Sequence, residues 1–229
     1  MFPLAADVGT ARLLTHLPDL ESLSLKASGV KGDFLKSRLR NARLQSLSLQ
    51  KCDRIGRLLL PPGSCTLPLR SLCLSHSSNL VTVNLASLPA LIHLDLSYCP
   101  SLQSVTLTTP GLQELVLRGS SKLESLSLDH DGPAPALTTL DLMLCRGLPL
   151  AMLSRLVSSV HQSLVHLSLC GCYVVPDDMP WRLVREARTL RSLDLAGCKR
   201  VTKDSLQRVQ SELEYRRGLD RRSPQQGLA

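Results

Sequence analysis

Aromatic side chains are nearly missing from this sequence: two Phe, three Tyr and one Trp make up 3% of 229 residues. That scarcity excludes a core of ordinary mixed composition, because the large apolar volume has to come from elsewhere. Long hydrophobic runs are missing too. Ser, Arg, Asp or Gly breaks the apolar residues every few positions, so no stretch reaches the roughly 18 residues that a membrane helix needs. The opening Met1 to Asp7 has neither a basic n-region nor an apolar h-region, which reads as neither secreted nor membrane-spanning. The chain contains no CxxC pair, no nearby His/Cys set with zinc spacing and no glycine-rich phosphate loop, Gly29 to Asp33 being a turn-like link. No cofactor is expected. The eight cysteines are scattered rather than densely set, which points to a reduced compartment, cytoplasmic or nuclear.

Leucine is what the chain has instead, with 52 copies. The pattern Leu-x-x-Leu-x-Leu begins at Leu20, Leu44, Leu69, Leu91, Leu112, Leu137, Leu164 and Leu190. Its central leucines, from Leu23 to Leu193, step by 24, 25, 22, 21, 25, 27 and 26 residues. Those steps fall within the roughly 20–29 residues of one leucine-rich repeat. Three positions after each pattern stand Ser28, Cys52, Ser77, Cys99, Ser120, Cys145, Cys172 and Cys198. In an extended segment alternate residues share a face, so Leu-x-Leu points both leucines to one side. One such strand cannot bury that side alone, whereas stacked copies form a parallel sheet over a continuous leucine column. The Cys or Ser that follows is placed where the chain turns inward, able to bond the unpaired backbone of the turn.

The return segments come in two kinds. A second apolar pattern starts at Ile55, Leu80, Leu102 and Leu123 and predicts short extended segments, with Pro61, Pro62, Pro89, Pro110, Pro133 and Pro135 turning the chain. Later the spacing becomes helical: Leu150, Leu153, Leu156, Val157 and Val160, then Trp181, Val184 and Ala187 after Asp178, then Leu206, Val209 and Leu213 after Thr202. A further helix is expected around Thr10 to Leu17. The expected fold is an α/β solenoid, a horseshoe with a parallel concave sheet and about eight repeats. Its convex side is extended in the middle and helical at the ends. The repeat domain covers 1–215, and 216–229 reads as a basic, disordered tail.

The closing repeats, Leu190 to Leu206 with Cys198, Val201, Thr202 and Asp204, and Leu164 to Asp178 with Cys172 and Val175, resemble cysteine-containing leucine-rich repeats. That type is known best from F-box leucine-rich-repeat proteins, and the resemblance covers Leu13 to Leu213. It implies a non-enzymatic solenoid that grips a protein substrate while a separate F-box bundle docks on a cullin-type ubiquitin ligase. The family commonly has Asp after the Val-Thr pair, where this chain has Lys203 followed by Asp204. The third helix is therefore expected to start late or to be capped differently. The first repeat begins too early for an F-box ahead of it, so the chain is expected to be a fragment, a short isoform or a stand-alone binding module. Ligase subunits are partners only if an F-box lies outside this chain.

Outward positions of the strands form three rows on the concave face. They run from Ser22 through His93, Glu114, Thr139 and His166 to Ser192, from Ser24 through Asp95, Val116, Asp141 and Ser168 to Asp194, and from Lys26 through Arg118 and Met143 to Ala196. Tyr98 stands at the rim. Four carboxylates against Arg118 make this face locally acidic in a chain of net charge +8, which favours a basic segment of a protein partner; the alternative is an ordinary solvated strand surface. Half of the positive excess lies from Lys199 onward, eight Lys/Arg against four Asp/Glu. A nucleic-acid role through this end is the least favoured reading, since no aromatic interleaving accompanies it. Membrane contact is not expected. Ser71, His93 and Asp95 suggest a triad, yet an open sheet lacks the strained elbow and oxyanion donors such chemistry uses. Cys170 and Cys172 suggest a metal pair, yet the register sends one outward and the other inward. No catalytic or metal-ligating residue is assigned.

Overall fold

The computed structural model describes residues 19–27, 29–31, 43–61, 63, 68–86, 88–128 and 136–222. The helix expected around Thr10 to Leu17 lies outside the described residues, as do Ser28, Pro62, Cys65, Pro133, Pro135 and the chain beyond Arg222.

Each Leu-x-x-Leu-x-Leu pattern supplies one three-residue strand. They are β1 (Ser22–Ser24), β2 (Ser46–Ser48), β4 (Ser71–Cys73), β6 (His93–Asp95), β8 (Glu114–Val116), β10 (Thr139–Asp141), β11 (His166–Ser168) and β12 (Ser192–Asp194). They pair in that order, all parallel, as one eight-stranded sheet. The register aligns the central leucines, Leu23 with Leu47 with Leu72 and so on to Leu193. The second apolar pattern supplies β3 (Arg57–Leu60), β5 (Thr82–Leu85), β7 (Ser104–Leu107) and β9 (Ser125–Ser127), a separate four-stranded parallel sheet. Leu58, Val83, Val105 and Leu126 face inward from it and close the core against the leucines of the large sheet. This two-sheet arrangement of parallel strands is consistent with a repeat solenoid.

Two columns run along the turn after each strand of the large sheet. The residue four places after the central leucine has positive φ in every repeat: Ala27, Lys51, His76, Tyr98, Gly119, Leu144, Gly171 and Gly197. Five of the eight carry a side chain, each at a cost of roughly 1–2 kcal/mol in the left-handed region. The conformation turns the N–H toward the next repeat, so that Tyr98 N donates to Arg118 O at 2.6 Å and Gly119 N to Met143 O at 2.7 Å. The next residue is the inward Cys or Ser. Its Sγ or Oγ donates to the preceding repeat: Cys99 to Leu74 O at 3.4 Å, Ser120 to Leu96 O at 3.2 Å, Cys145 to Leu117 O and Cys172 to Leu142 O at 3.1 Å. Burial pushes the Cys99 thiol up to about 11 and those of Cys145 and Cys172 up to about 12, so they remain neutral donors.

Beyond β9 the convex return is helical, with α1 (Leu150–Val160), α2 (Met179–Glu186) and α3 (Lys203–Arg222). Leu153, Leu156, Val160, Leu183, Val184, Ala187, Val209 and Leu213 are buried against the core, whereas Leu206, expected on the inner face, stays 36% exposed. The third helix starts at Lys203 without the family's Asp. Thr202 Oγ1 accepts from Ser205 N at 3.3 Å, and Asp177 of the preceding repeat accepts from Thr202 N at 2.7 Å. α3 also runs through 216–222, residues read from sequence as the start of a disordered tail. Within it the Arg216 guanidinium donates to Val184 O at 2.9 Å, Ala187 O at 3.1 Å and Arg188 O at 3.5 Å, catching the open end of α2. Among the described residues no helix is long and apolar enough to cross a membrane.

Candidate protein-binding face

The outward residues of the large sheet stand in the rows expected from alternation. Ser71, His93, Glu114, Thr139, His166 and Ser192 are successive cross-strand partners, as are Cys73, Asp95, Val116, Asp141, Ser168 and Asp194. All are partly or fully exposed, while the leucines between them are inward. Arg118 and Met143 continue the third row, where their carbonyls accept from the left-handed turn of the repeat before.

Three aspartates of the middle row share one local geometry. Asp95 Oδ1 accepts from Ser97 N at 2.9 Å, Asp141 Oδ1 from Met143 N at 2.9 Å and Asp194 Oδ1 from Ala196 N at 3.0 Å. Each carboxylate thereby holds the strand end that feeds the left-handed turn. The second oxygens go sideways. Asp141 Oδ2 receives Arg118 at 2.7 Å and 3.1 Å, Asp95 Oδ2 receives Cys73 Sγ at 3.3 Å and Asp194 Oδ2 receives Ser168 Oγ at 3.4 Å. The hydrogen bond to Asp141 holds the Arg118 guanidinium above its usual range. Glu114 Oε2 lies 3.0 Å from His93 Nδ1, an exposed pair that contributes little energy. Much of the acidity counted along the sequence is thus engaged within the face. Asp95 and Asp194 keep carboxylates with no cationic partner among the described residues.

Tyr98 sits at the rim, 42% exposed, in the left-handed column. Its ring stacks on His76 of the preceding repeat, 4.9 Å between centroids and 17° between planes. On the other side it lies over Gly119, where a Cβ would come within 2.8 Å of Tyr98 Cδ1. His76 was not among the expected site residues, since alternation along the strand ends before the turn. A second rim group was missed for the same reason: Tyr173 stands between Arg146, 5.0 Å from its centroid, and Lys199, 5.1 Å away.

A shallow pocket of about 200 Å³ lies among Ser71, Cys73, His93, Asp95, Glu114 and Val116. That is below the roughly 300–1,000 Å³ of small-molecule sites. Ser71 and His93 are cross-strand neighbours, but the imidazole Nδ1 lies against Glu114 and no hydrogen bond joins it to Ser71. Cys172 is buried with its Sγ on Leu142 O, while Cys170, beyond the outward end of β11, is half-buried. Among the described residues, no group of three or more His, Cys, Asp or Glu side chains is gathered as for a metal ion. Compared with protein-family models and with curated proteins, the chain gives no match.

Proposed function

We propose that the chain is a protein-interaction module, a leucine-rich-repeat solenoid whose concave sheet recognises a partner. The best-supported specific form is the substrate-reading part of an F-box-type ubiquitin-ligase adaptor, acting in ubiquitination and degradation. The observation that carries the binding role is the eight-strand register, which sets outward side chains in straight rows over a buried leucine column, so the readable surface varies freely while the fold does not. The extended, nearly pocket-free face suits a polypeptide better than a small molecule. Asp95 and Asp194 give it negative charge for a basic segment, and the Tyr98–His76 stack offers an aromatic anchor of the kind found at binding hot spots. The ligase link rests on the resemblance of the cysteine-bearing repeats.

Because Asp95 and Asp194 also hold backbone N–H groups, Lys at these positions would disturb the turns, whereas Asn keeps the acceptor and removes the charge. The test is affinity purification of the tagged protein from its own cells followed by mass spectrometry, beside an Asp95→Asn, Glu114→Gln, Asp194→Asn variant. Recovery of a cullin adaptor together with candidate substrates, with only the substrates lost from the variant, supports the full reading. A partner recovered with no ligase subunit makes this a stand-alone scaffold or inhibitor. Partners that all survive the substitutions place recognition off this face.

A further inference from the structure

A cluster of arginines lies where α2 meets α3. Where α2 ends against α3, a cleft of about 470 Å³ is walled by Arg185, Arg188 and Arg191 on one side and by Tyr215 and Leu219 of α3 on the other. A second depression, about 710 Å³, adjoins it through the same Arg185 and Arg188 and reaches His161 at the end of α1. The floor is fixed by Arg216, bound to three carbonyls at the end of α2 and to Glu212 Oε1 at 2.8 Å. Glu212 is thus engaged with Arg216, and among the described residues no acid pairs with Arg185 or Arg188. Tyr215 is 64% exposed and Leu219 46% exposed, the two most exposed large apolar side chains among the described residues.

Arg185 and Arg188 are exposed beside the open Tyr215 ring, and arginine and tyrosine are among the residue types enriched at protein-binding hot spots. A small anion would leave Tyr215 and Leu219 unused. A single-stranded nucleic acid would want successive aromatic platforms, and this cleft has one aromatic ring, that of Tyr215. We propose that the α2–α3 cleft docks an acidic protein segment bearing one large apolar residue, its carboxylates against Arg185 and Arg188 and its apolar side chain against Tyr215 and Leu219.

The test is fluorescence anisotropy with purified full-length protein and a labelled Asp/Glu-rich peptide carrying one central Phe. The comparison probes are the same peptide with Ser for Phe and a labelled oligouridine. The variants are Arg185→Glu with Arg188→Glu, Tyr215→Ala, and the concave Asp95→Asn, Glu114→Gln, Asp194→Asn form; circular dichroism melts verify folding. The expected result is saturable peptide binding that the charge reversal weakens roughly tenfold or more. Tyr215→Ala and the Ser peptide each weaken it several-fold, and the concave variant leaves it unchanged. The proposal is overturned if the peptide does not bind at about 1 mM, if folded charge-reversed protein binds as well as the parent, or if oligouridine binds tighter through the same arginines. None of these outcomes depends on whether the concave face binds its own partner.

Discussion

At the position after the left-handed turn, a thiol and a hydroxyl serve the same purpose: Ser120 reaches Leu96 O as Cys145 reaches Leu117 O. Neutral thiols hold these bonds, with a consequence for pH. Burial raises the folded values of Cys99, Cys145 and Cys172 above 9.0. A raised folded value means stability is fully present below the unfolded value and is lost as pH rises through the folded one. Urea midpoints should therefore be level up to about pH 9 and then fall progressively toward pH 12; a flat profile to pH 11 would contradict the burial of these thiols. The same burial predicts that iodoacetamide on native protein labels Cys73 and Cys170 and spares Cys99, Cys145 and Cys172, read by peptide mapping. For the leucines, Leu94→Ala and Leu140→Ala, both 1% exposed, should each cost about 2–5 kcal/mol by opening a cavity. Leu193→Ala, half-buried in the last strand, should cost clearly less in the same urea titration.

Between elements, the contact hardest to foresee is the grip of α3 on α2. Arg216 Nη1 and Nη2 reach carbonyls 28, 29 and 32 residues earlier, and no local pattern announces it; as a sequence feature Arg216 looked like the start of a basic tail. Hydrogen bonds from a charged donor contribute about 1.5–3 kcal/mol. Arg216→Met should then lower stability by about that much and expose α3 to limited proteolysis, whereas Arg217→Met should do little of either. What sequence does announce is period. Alternation in Leu-x-Leu located all eight strands of the large sheet and the second pattern located all four of the other, because burial demands apolar residues there and nothing else competes. The left-handed column escaped notice because Ala27, Lys51, His76, Tyr98 and Leu144 are not residues that signal positive φ. Tyr98 was expected at the rim, but its partner His76 was not. The pairing of Arg118 with Asp141 is diagonal across the register and could have been drawn from it; the use of Asp95, Asp141 and Asp194 as turn acceptors repeats at one position and was legible only as charge.

Over the whole molecule, every repeat of the large sheet touches mainly its neighbours, so stability should vary along the stack. The first and last strands show half-buried central leucines where the inner strands show buried ones, and among the described residues each pairs with a strand on one side only. Hydrogen exchange should protect the amides of Leu96 and Leu117 most and that of Leu25 least, and uniform protection would argue for one cooperative block instead. The thiol column also has a direction. Cys52, Cys99, Cys145, Cys172 and Cys198 all donate backward, to a carbonyl of the repeat before them. During synthesis each of these repeats leaves the ribosome with its acceptor already made and waiting. A chain losing repeats from its C-terminal end strands no thiol, while one losing its first repeat leaves Cys52 facing an empty place. The N–H of each left-handed turn but the last runs the other way, to a carbonyl of the repeat that follows, so loss from the front strands a thiol and loss from the back strands an amide.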